Sequence, residues 1–314
     1  MVTADRSPTP IDRIGVDLGG TKIAGILIGQ DGSITAEARL DTPRDDYDQT
    51  IRAIANLVAQ LTGRAQGTAS IGLGIPGSIS PATGRVQNAN STWLNAKPLK
   101  EDIETAIGRP VRIANDANCF ALSEVTDGAG AGAKSVFGVI IGTGCGGGLV
   151  VGGHIVDGPR GIGGEWGHNP LPWPDAEEYP GPECWCGRRG CLETWVSGPG
   201  LAADHHRSFG DALTAEAIAE DARNGQADAR QTLTRHASRL ARGLASVINV
   251  FDPEIIVLGG GLSNMRHLYD DLPGLIAPHI FSDDTRARIV PPAHGSESGA
   301  RGAAWLWDSL PVEK

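Results

Sequence analysis

The chain has 314 residues, of which 40% are hydrophobic and 20% charged, and its formal net charge is −10. A single hydrophobic core usually stops growing at roughly 250–300 residues, so this length predicts two domains. The negative charge opposes nucleic acid and anionic membrane surfaces as partners, and it favours a small molecule. Residues 1–12 contain no apolar core and no cleavage pattern, which predicts the disordered leader of a cytoplasmic protein.

The first predicted element is a β-hairpin at IGVDLGGTKIAGILI (14–28). Gly19 and Gly20 in its turn lack a Cβ and permit positive φ, so successive backbone N–H groups can face one anion. Apolar β-formers follow these glycines, whereas a Walker loop or a dinucleotide fingerprint requires a helix there. The turn is therefore predicted to bind phosphate in another kind of nucleotide site.

Strands and helices then alternate, which indicates an α/β domain over residues 13–117. The predicted elements are a strand near 33–42, a helix at about 47–61, a strand at 69–77, a helix at about 98–107 and a strand at 111–116.

The second predicted domain covers 118–298 and opens with a helix at 118–125. A second glycine hairpin follows at VFGVIIGTGCGGGLVV (136–151). Residues 135–153 carry no charged side chain, which raises the question of a membrane span, but eight of these nineteen residues are glycine and favour the hairpin. Two glycine hairpins predict two similar domains that face one nucleotide.

The remaining chain contains a loop-rich insertion through about residue 200 and a long amphipathic helix at about 227–251. The strand at 254–261 ends in three glycines, so its end is predicted to approach the nucleotide closely. A final helix over 299–314 is predicted to pack back and complete the first domain.

Four residues of the insertion predict a metal site: His168, Cys184, Cys186 and Cys191. Three thiolates and one imidazole complete a tetrahedral shell, which is the structural type of zinc site. The alternative is a set of free buried cysteines beside a surface histidine. The chain has an odd number of cysteines, five, and the cluster suits a reducing compartment better than a disulfide framework.

Taken together, these motifs resemble those of the ROK family of sugar kinases, a branch of the actin-like ATPase superfamily. The resemblance runs from about residue 13 to 308 and rests on DLGGTK (17–22), GIPG (74–77), NDAN (115–118), GTGCGGG (142–148), GEWGH (164–168), CWCGRRGCLE (184–193) and VLGGGLSN (257–264). It implies a duplicated α/β, ribonuclease H-like fold with two domains around a central cleft. It also implies ATP with Mg²⁺, a hexose substrate and a homodimer.

The resemblance assigns Asp116 as the catalytic base that accepts the proton of the sugar hydroxyl. From the sequence alone, Asp116 could instead cap the helix that follows it. An aspartate is a weak base, but a loose phosphoryl-transfer transition state releases the proton late. The predicted substrate-binding residues are Gly77, Asn90, Asn115, Asp116, Glu165, His168 and Glu193.

Each sugar-binding residue type has a chemical reason. Glu165 and Glu193 are hydrogen-bond acceptors for hydroxyls, with solvated loop charges as the alternative, and His168 can use one ring nitrogen for zinc and the other for the sugar. Asn90 and Asn115 donate and accept, although Asn90 could serve only to form a turn. The absence of a side chain at Gly77 allows close approach of the sugar.

The nucleotide site is predicted from the two turns and the later glycine run. Asp17 would orient hydrated Mg²⁺, and Lys22 would reach a phosphate. The full predicted set is Asp17, Gly19, Gly20, Thr21, Lys22, Gly142, Thr143, Gly144, Gly146, Gly259, Gly260 and Gly261.

Within the family, the stretches 42–47, 76–95 and 164–173 most resemble the bacterial fructokinase/mannokinase branch. The expected reaction is therefore ATP-dependent phosphorylation of the 6-hydroxyl of fructose or mannose. The alternatives are an N-acetylglucosamine or N-acetylmannosamine kinase, a glucokinase, and a sugar sensor without catalysis. A DNA-binding repressor is disfavoured, because only about a dozen residues precede the first hairpin and the chain is acidic.

Overall fold

The computed structural model describes residues 12–308. Most of the predicted leader and the last residues of the predicted final helix therefore lie outside the described residues, but Asp12 begins the first strand. Contacts between Cα atoms divide the chain into two compact units. Unit 1 contains the chain before residue 124, the segment 157–162 and the chain after 296, and unit 2 contains 124–156 and 163–296. The division falls at 123/124 rather than at the predicted 117/118.

Unit 1 is built on a five-stranded sheet in the order β3-β2-β1-β4-β7. The strands are β1 (Asp12–Leu18), β2 (Lys22–Ile28), β3 (Ile34–Asp41), β4 (Ala69–Ile75) and β7 (Arg112–Asn115), and a separate small hairpin is formed by β5 (Ser78–Ile79) and β6 (Val86–Gln87). The predicted first hairpin is present, since β1 and β2 pair antiparallel. β4 lies parallel between β1 and β7, and all its residues are buried, as expected for a central parallel strand.

The helices of the first part of the chain are α1 (Tyr47–Thr62), α2 (Leu99–Ile107) and α3 (Asp116–Asp127). Asp46 caps α1 by accepting the Gln49 N–H at 2.9 Å. The apolar positions that predicted α1 form its buried face, including Ile54 and Leu61. α3 begins at Asp116, two residues before the predicted start, so Asp116 is a helical residue and not the last residue of a strand.

Unit 2 is built on a second five-stranded sheet, ordered β10-β9-β8-β11-β12. Its strands are β8 (Ser135–Ile141), β9 (Cys145–Val151), β10 (His154–Ile155), β11 (Ile255–Gly259) and β12 (Ile289–Val290). β8 and β9 form the predicted second hairpin, in which Gly138 pairs with Gly148. Across residues 12–308, no helix has the length and apolar character needed to cross a membrane.

The helices of unit 2 pack around the long helix α7. They are α4 (Glu193–Val196), α5 (Gly198–Phe209), α6 (Ala215–Arg223), α7 (Ala227–Phe251) and α8 (His267–Ile276). The bounds of α7 agree with its prediction, and one face of the helix buries Leu233, Leu240 and Leu244. This face forms the core of unit 2 together with β8 and β11.

The last helix, α9 (Ser298–Trp305), belongs to unit 1 and packs on β1 and β4. The contact is close because glycines lie beneath it. A Cβ on Gly15 would clash with the carbonyl oxygen of Ala300, and one on Gly72 would clash with that of Ala303. α9 therefore completes the core of unit 1 from the end of the chain.

The two sheets have the same strand order and the same strand directions. In each, a central strand pairs antiparallel with the next strand of a hairpin and parallel with a later strand. At one edge of each sheet a further strand pairs antiparallel with the hairpin, β3 on β2 and β10 on β9. At the other edge a further strand pairs parallel, β7 on β4 and β12 on β11. This repetition confirms the predicted duplicated α/β fold.

Candidate active site

The first glycine turn is held from the end of β3. The Gly19 N–H donates to the Lys22 carbonyl at 3.0 Å and closes the turn. Thr42 Oγ1 donates to the Gly19 carbonyl at 2.7 Å, and Arg44 Nε donates to the Gly20 carbonyl at 2.9 Å. The side chains of the predicted nucleotide residues Thr21 and Lys22 are exposed at this turn.

The expected positive φ is absent from both predicted phosphate turns. Within residues 12–308, the glycines with positive φ do not include Gly19, Gly20, Gly142, Gly144, Gly146, Gly147 or Gly148. Close packing, and not positive φ, explains why several of these positions are glycine. A Cβ on Gly147 would lie 2.7 Å from the Phe137 ring, and one on Gly144 would lie 2.9 Å from Oε2 of Glu193.

Asp17 and Asp116 form a pair of half-buried carboxyl groups in unit 1. Burial, and then the negative charge of Asp116, raise the pKa of Asp17 to about 7. Burial also raises the pKa of Asp116, although hydrogen bonds from the Ala117 N–H and from Asn115 oppose this effect. A Cβ on Gly299 would lie 2.9 Å from Oδ2 of Asp17, so the first turn of α9 approaches this carboxylate closely. Two adjacent carboxyl groups with raised pKa values are suited to binding a cation and accepting a proton.

The sequence left open whether Asp116 caps α3 or acts as the catalytic base. The cap of α3 is supplied mainly by Asn115. Its Oδ1 accepts the N–H groups of Ala117 at 2.9 Å and Asn118 at 3.3 Å, and its Nδ2 donates to the Gly77 carbonyl at 3.0 Å. Asp116 Oδ1 also accepts the Ala117 N–H, at 2.8 Å. The Asn115 side chain thus has structural partners on both its oxygen and its nitrogen.

The other predicted sugar residues of unit 1 are Gly77 and Asn90. Gly77 has φ 71°, and a Cβ there would clash with the Gln87 carbonyl, so only glycine fits this turn. Asn90 is exposed. The turn that precedes it is held by Asn95, whose side chain accepts the Ala89 N–H at 2.9 Å and donates to the Ala89 carbonyl at 2.8 Å.

In unit 2, the second glycine turn contacts Glu193 directly. The turn is closed by the Gly142 N–H, which donates to the Gly144 carbonyl at 3.0 Å, and Thr143 is exposed at its tip. The Cys145 N–H donates to Oε2 of Glu193 at 2.9 Å. The other carboxylate oxygen, Oε1, accepts the indole N–H of Trp185 at 2.8 Å. Glu193 is therefore oriented by two donors from separate segments, the start of β9 and the segment that contains Trp185.

The four predicted metal ligands come together in unit 2. One ligand atom from each of His168, Cys184, Cys186 and Cys191 lies within 4.8 Å of all the others. The Cys186 and Cys191 sulfurs are 3.6 Å apart, and Cys184 Sγ lies 3.6 Å from His168 Nδ1. Two Zn–S bonds of about 2.3 Å at a tetrahedral angle would place their sulfurs about 3.8 Å apart, so the cluster fits zinc.

Glu165 and His168 flank one short helical turn. Glu165 is half-buried and precedes the 3-10 helix Trp166–His168. Trp166 fixes this turn to β9, because its Nε1 donates to the Gly146 carbonyl at 3.0 Å. Nδ1 of His168 faces Cys184, so Nε2 is the ring nitrogen that the predicted sugar contact would use.

A cavity of about 650 Å³ opens beside the predicted nucleotide glycines of unit 2. Gly259 ends β11, Gly260 has φ 81° and Gly261 lines the cavity. A Cβ on Gly260 would clash with the Ile141 carbonyl. Apolar and charged side chains line the rest of the cavity, among them Leu233, Leu262, Met265, Arg223, Arg230 and Asp271.

Sequence reasoning missed several residues that shape these sites. Trp185 lies inside the CWCGRRGC motif, and its position between two predicted metal ligands is the signal by which the sequence could have identified it. Other missed residues stabilise turns through hydrogen bonds that a local sequence pattern does not predict. They are Thr42, Arg44 and Asn95.

Known proteins resemble this chain along almost its full length. An N-acetyl-D-glucosamine kinase of Photobacterium profundum is 38% identical over 296 residues, which cover 93% of this chain and 98% of the relative. Other curated relatives at 37–38% identity carry the same name. The expected fructokinase/mannokinase activity is therefore wrong, whereas the coarser prediction of a sugar kinase is supported. The sequence stretches that suggested that branch do not decide among hexoses.

Solved structures and a family model agree with this likeness. A ROK hexokinase from Thermus thermophilus superposes with a TM-score of 0.83 at 31% identity, covering 93% of this chain and 96% of that one. A ROK family glucokinase from Streptomyces griseus, solved with glucose and AMPPNP, has a TM-score of 0.77 at 28% identity and covers 94% of this chain and 98% of that one. These likenesses confirm the actin-like ATPase fold. The model described as "ROK family" matches residues 13–309, and the chain belongs to that family.

Proposed function

We propose that this protein is an ATP-dependent N-acetyl-D-glucosamine kinase. The observation that carries the proposal is the 38% identity, over 93% of the chain, to a kinase of that name. The site residues in each unit support a phosphoryl-transfer role, because carboxyl groups, glycine turns and a cavity of about 650 Å³ are all present. Cavities of about 300–1,000 Å³ are typical of small-molecule sites.

Asp116 is the proposed catalytic base. Its burial raises the pKa of the carboxyl group, which makes the carboxylate a stronger proton acceptor than an exposed aspartate. Because Asn115 supplies the helix cap, Asp116 is available to accept the proton of the sugar hydroxyl as that oxygen attacks the γ-phosphorus. The bond between the γ-phosphorus and the bridging oxygen breaks, and ADP leaves.

The nucleotide is assigned to the glycine turns and to the cavity beside Gly261. The N–H groups and exposed side chains of the turns at 19–22 and 142–144 would bind phosphate oxygens, with Lys22 as the cationic side chain. Asp17 fits a cation, because a divalent ion would stabilise a carboxylate that burial otherwise keeps partly protonated. Mg²⁺ bound with ATP neutralises charge on the phosphates.

The sugar is assigned to Glu193, Glu165, His168 and Asn90. Glu193 is already oriented by two N–H donors, so its remaining lone pairs can accept hydrogen bonds from sugar hydroxyls without further ordering. The cluster of His168 and the three cysteines is assigned to structural zinc, which would hold the two loops that carry Glu165 and Glu193.

A substrate panel tests the proposal. ADP release is measured with N-acetylglucosamine, N-acetylmannosamine, glucose, mannose and fructose, and the phosphorylated hydroxyl is identified by ³¹P NMR. We expect the highest kcat/KM for N-acetylglucosamine and phosphate on its 6-hydroxyl. A higher kcat/KM for glucose would favour the activity named for the Streptomyces griseus structure, and ADP release with none of the sugars would contradict a kinase.

A further inference from the structure

Trp185 is exposed although it stands between two buried or half-buried cysteines of the proposed zinc site. Its side chain is 60% exposed, which is unusual for the largest apolar side chain. The indole ring meets the His168 ring edge to face, with centroids 5.0 Å apart. Its N–H donates to Oε1 of Glu193 at 2.8 Å. One aromatic side chain thus contacts two of the residues assigned to the sugar.

The hydrogen bond from Trp185 completes the fixing of the Glu193 carboxylate, because the other oxygen of Glu193 is already bound. Oε2 is fixed by the Cys145 N–H at 2.9 Å, and Gly144 leaves no room for a side chain beside that oxygen. The Cys145 N–H fixes the position of Oε2 only, so the carboxylate can still pivot about that oxygen. The Trp185 N–H, which donates to Oε1 at 2.8 Å, restricts this pivoting.

We propose that Trp185 is a positioning residue for sugar binding, which acts by orienting the Glu193 carboxylate. The inference rests on the proposed function, since it requires Glu193 to bind the sugar. Trp185 needs no contact with the reacting atoms. Its loss would weaken a hydrogen bond that exists in both the bound ground state and the transition state, so KM for the sugar should change while kcat does not.

Trp185→Phe is the most informative variant, because it keeps an aromatic side chain next to His168 and removes the N–H donor. We expect the Kd for N-acetylglucosamine, measured by titration calorimetry, to rise about tenfold, which corresponds to about 1.4 kcal/mol. In steady-state assays we expect the sugar KM to rise similarly, with kcat within about twofold and the KM for ATP unchanged. Trp173→Phe is the matched control, since Trp173 is also exposed (52%) but contacts His279 instead.

A double-mutant cycle with Glu193→Ala, which removes the acceptor of the Trp185 N–H, shows whether Trp185 acts through Glu193. If it does, adding Trp185→Phe to Glu193→Ala weakens sugar binding by less than about twofold further. Fully additive losses, or an unchanged Kd in Trp185→Phe alone, would overturn the inference. Zinc content, measured by elemental analysis, should equal that of the wild type, and loss of zinc from Trp185→Phe would overturn it as well.

The outcome for the wild-type protein separates this inference from the proposed function. If the wild type binds no N-acetylglucosamine, the proposed function fails and the inference fails with it. If the wild type binds and phosphorylates this sugar but Trp185→Phe behaves like Trp173→Phe, only the inference fails.

Discussion

Glu178 and Arg242 form a two-pronged ion pair inside unit 2, with Nη1 of Arg242 2.8 Å from Oε2 of Glu178 and Nη2 2.8 Å from Oε1. Arg239 Nε also donates to Oε1 at 2.8 Å, and all three side chains are less than a tenth exposed. Arg239 in turn stacks over Trp195, two residues after Glu193. The ion pair therefore links the 3-10 helix Ala176–Glu178 to α7 near the proposed sugar site.

Removing the Glu178 charge should destabilise the fold strongly. Glu178→Gln leaves the buried Arg242 guanidinium without its counter-charge, whereas Arg239 keeps Asp204 at 2.8 Å. We expect the free energy of unfolding to fall by about 3–5 kcal/mol. The free energy of unfolding is measured by urea denaturation. Asp284→Asn is the control, because the Arg286–Asp284 pair is exposed and its loss should cause no measurable change. Equal effects of the two variants would contradict a structural role for the buried pair.

Asp17 should make the metal-free protein less stable as pH rises. Its pKa is about 7 in the folded state against an ordinary value of 3.8, so between these values the folded protein binds more protons than the unfolded one. The unfolding free energy then falls with increasing pH across this window, by up to about 1.4 kcal/mol for each unit. Asp17→Asn removes this ionisation. We expect a higher Tm than the wild type at pH 8 and a gain that shrinks toward pH 4, measured by differential scanning fluorimetry with EDTA. A gain independent of pH would exclude the ionisation as its cause.

Substitutions at Asp116 and Asn115 should show that catalysis and capping of α3 depend on different side chains. Asp116→Asn keeps an oxygen that can accept the Ala117 N–H but cannot accept a proton, so we expect kcat to fall by at least about 100-fold with little change in the Kd for the sugar. Asn115→Ala removes the cap of α3, and we expect it to lower the unfolding free energy by about 1 kcal/mol. Rapid-quench assays and urea unfolding measure the two effects. Activity like that of the wild type in Asp116→Asn would refute the assigned base.

Cys186→Ser should lose zinc and stability together, since binding of a structural metal is coupled to folding of its loop. We expect purified wild-type protein to contain about one zinc per chain and the variant to contain much less, with a lower Tm. Cys145→Ser is the control for metal content, because Cys145 lies outside the cluster of four ligands. Purified wild-type protein without zinc would contradict the assignment.

Much of the fold follows from local patterns. The hairpins, α1 and α7 were predictable because the alternation of apolar residues and their helical spacing are properties of neighbouring residues. The start of α3 was predicted two residues late, because the cap depends on Asn115, whose nitrogen bonds to Gly77 far away in the chain. The phosphate turns were predicted as hairpins, but the role of Gly144 and Gly147 in close packing required the tertiary structure.

The sequence predicts which residue types form the candidate site. It predicts less well how their side chains are arranged around a substrate. The Cys-x-Cys spacing and a nearby histidine were enough to indicate a metal cluster, and the four ligand atoms do meet. The choice of sugar was predicted wrongly, because it depends on one or two hydrogen bonds that the shared motifs do not encode. The roles of the individual site residues, the zinc and the homodimer stay predictions.

The position of α9 has a consequence for synthesis on the ribosome. The sheet of unit 1 begins at Asp12, and its surface at Gly15 and Gly72 is covered by α9 and Leu306, near the end of the described residues. Unit 2 is translated entirely before that cover exists. The surface of the N-terminal sheet that α9 covers therefore stays open to solvent and to chaperones until α9 has left the exit tunnel.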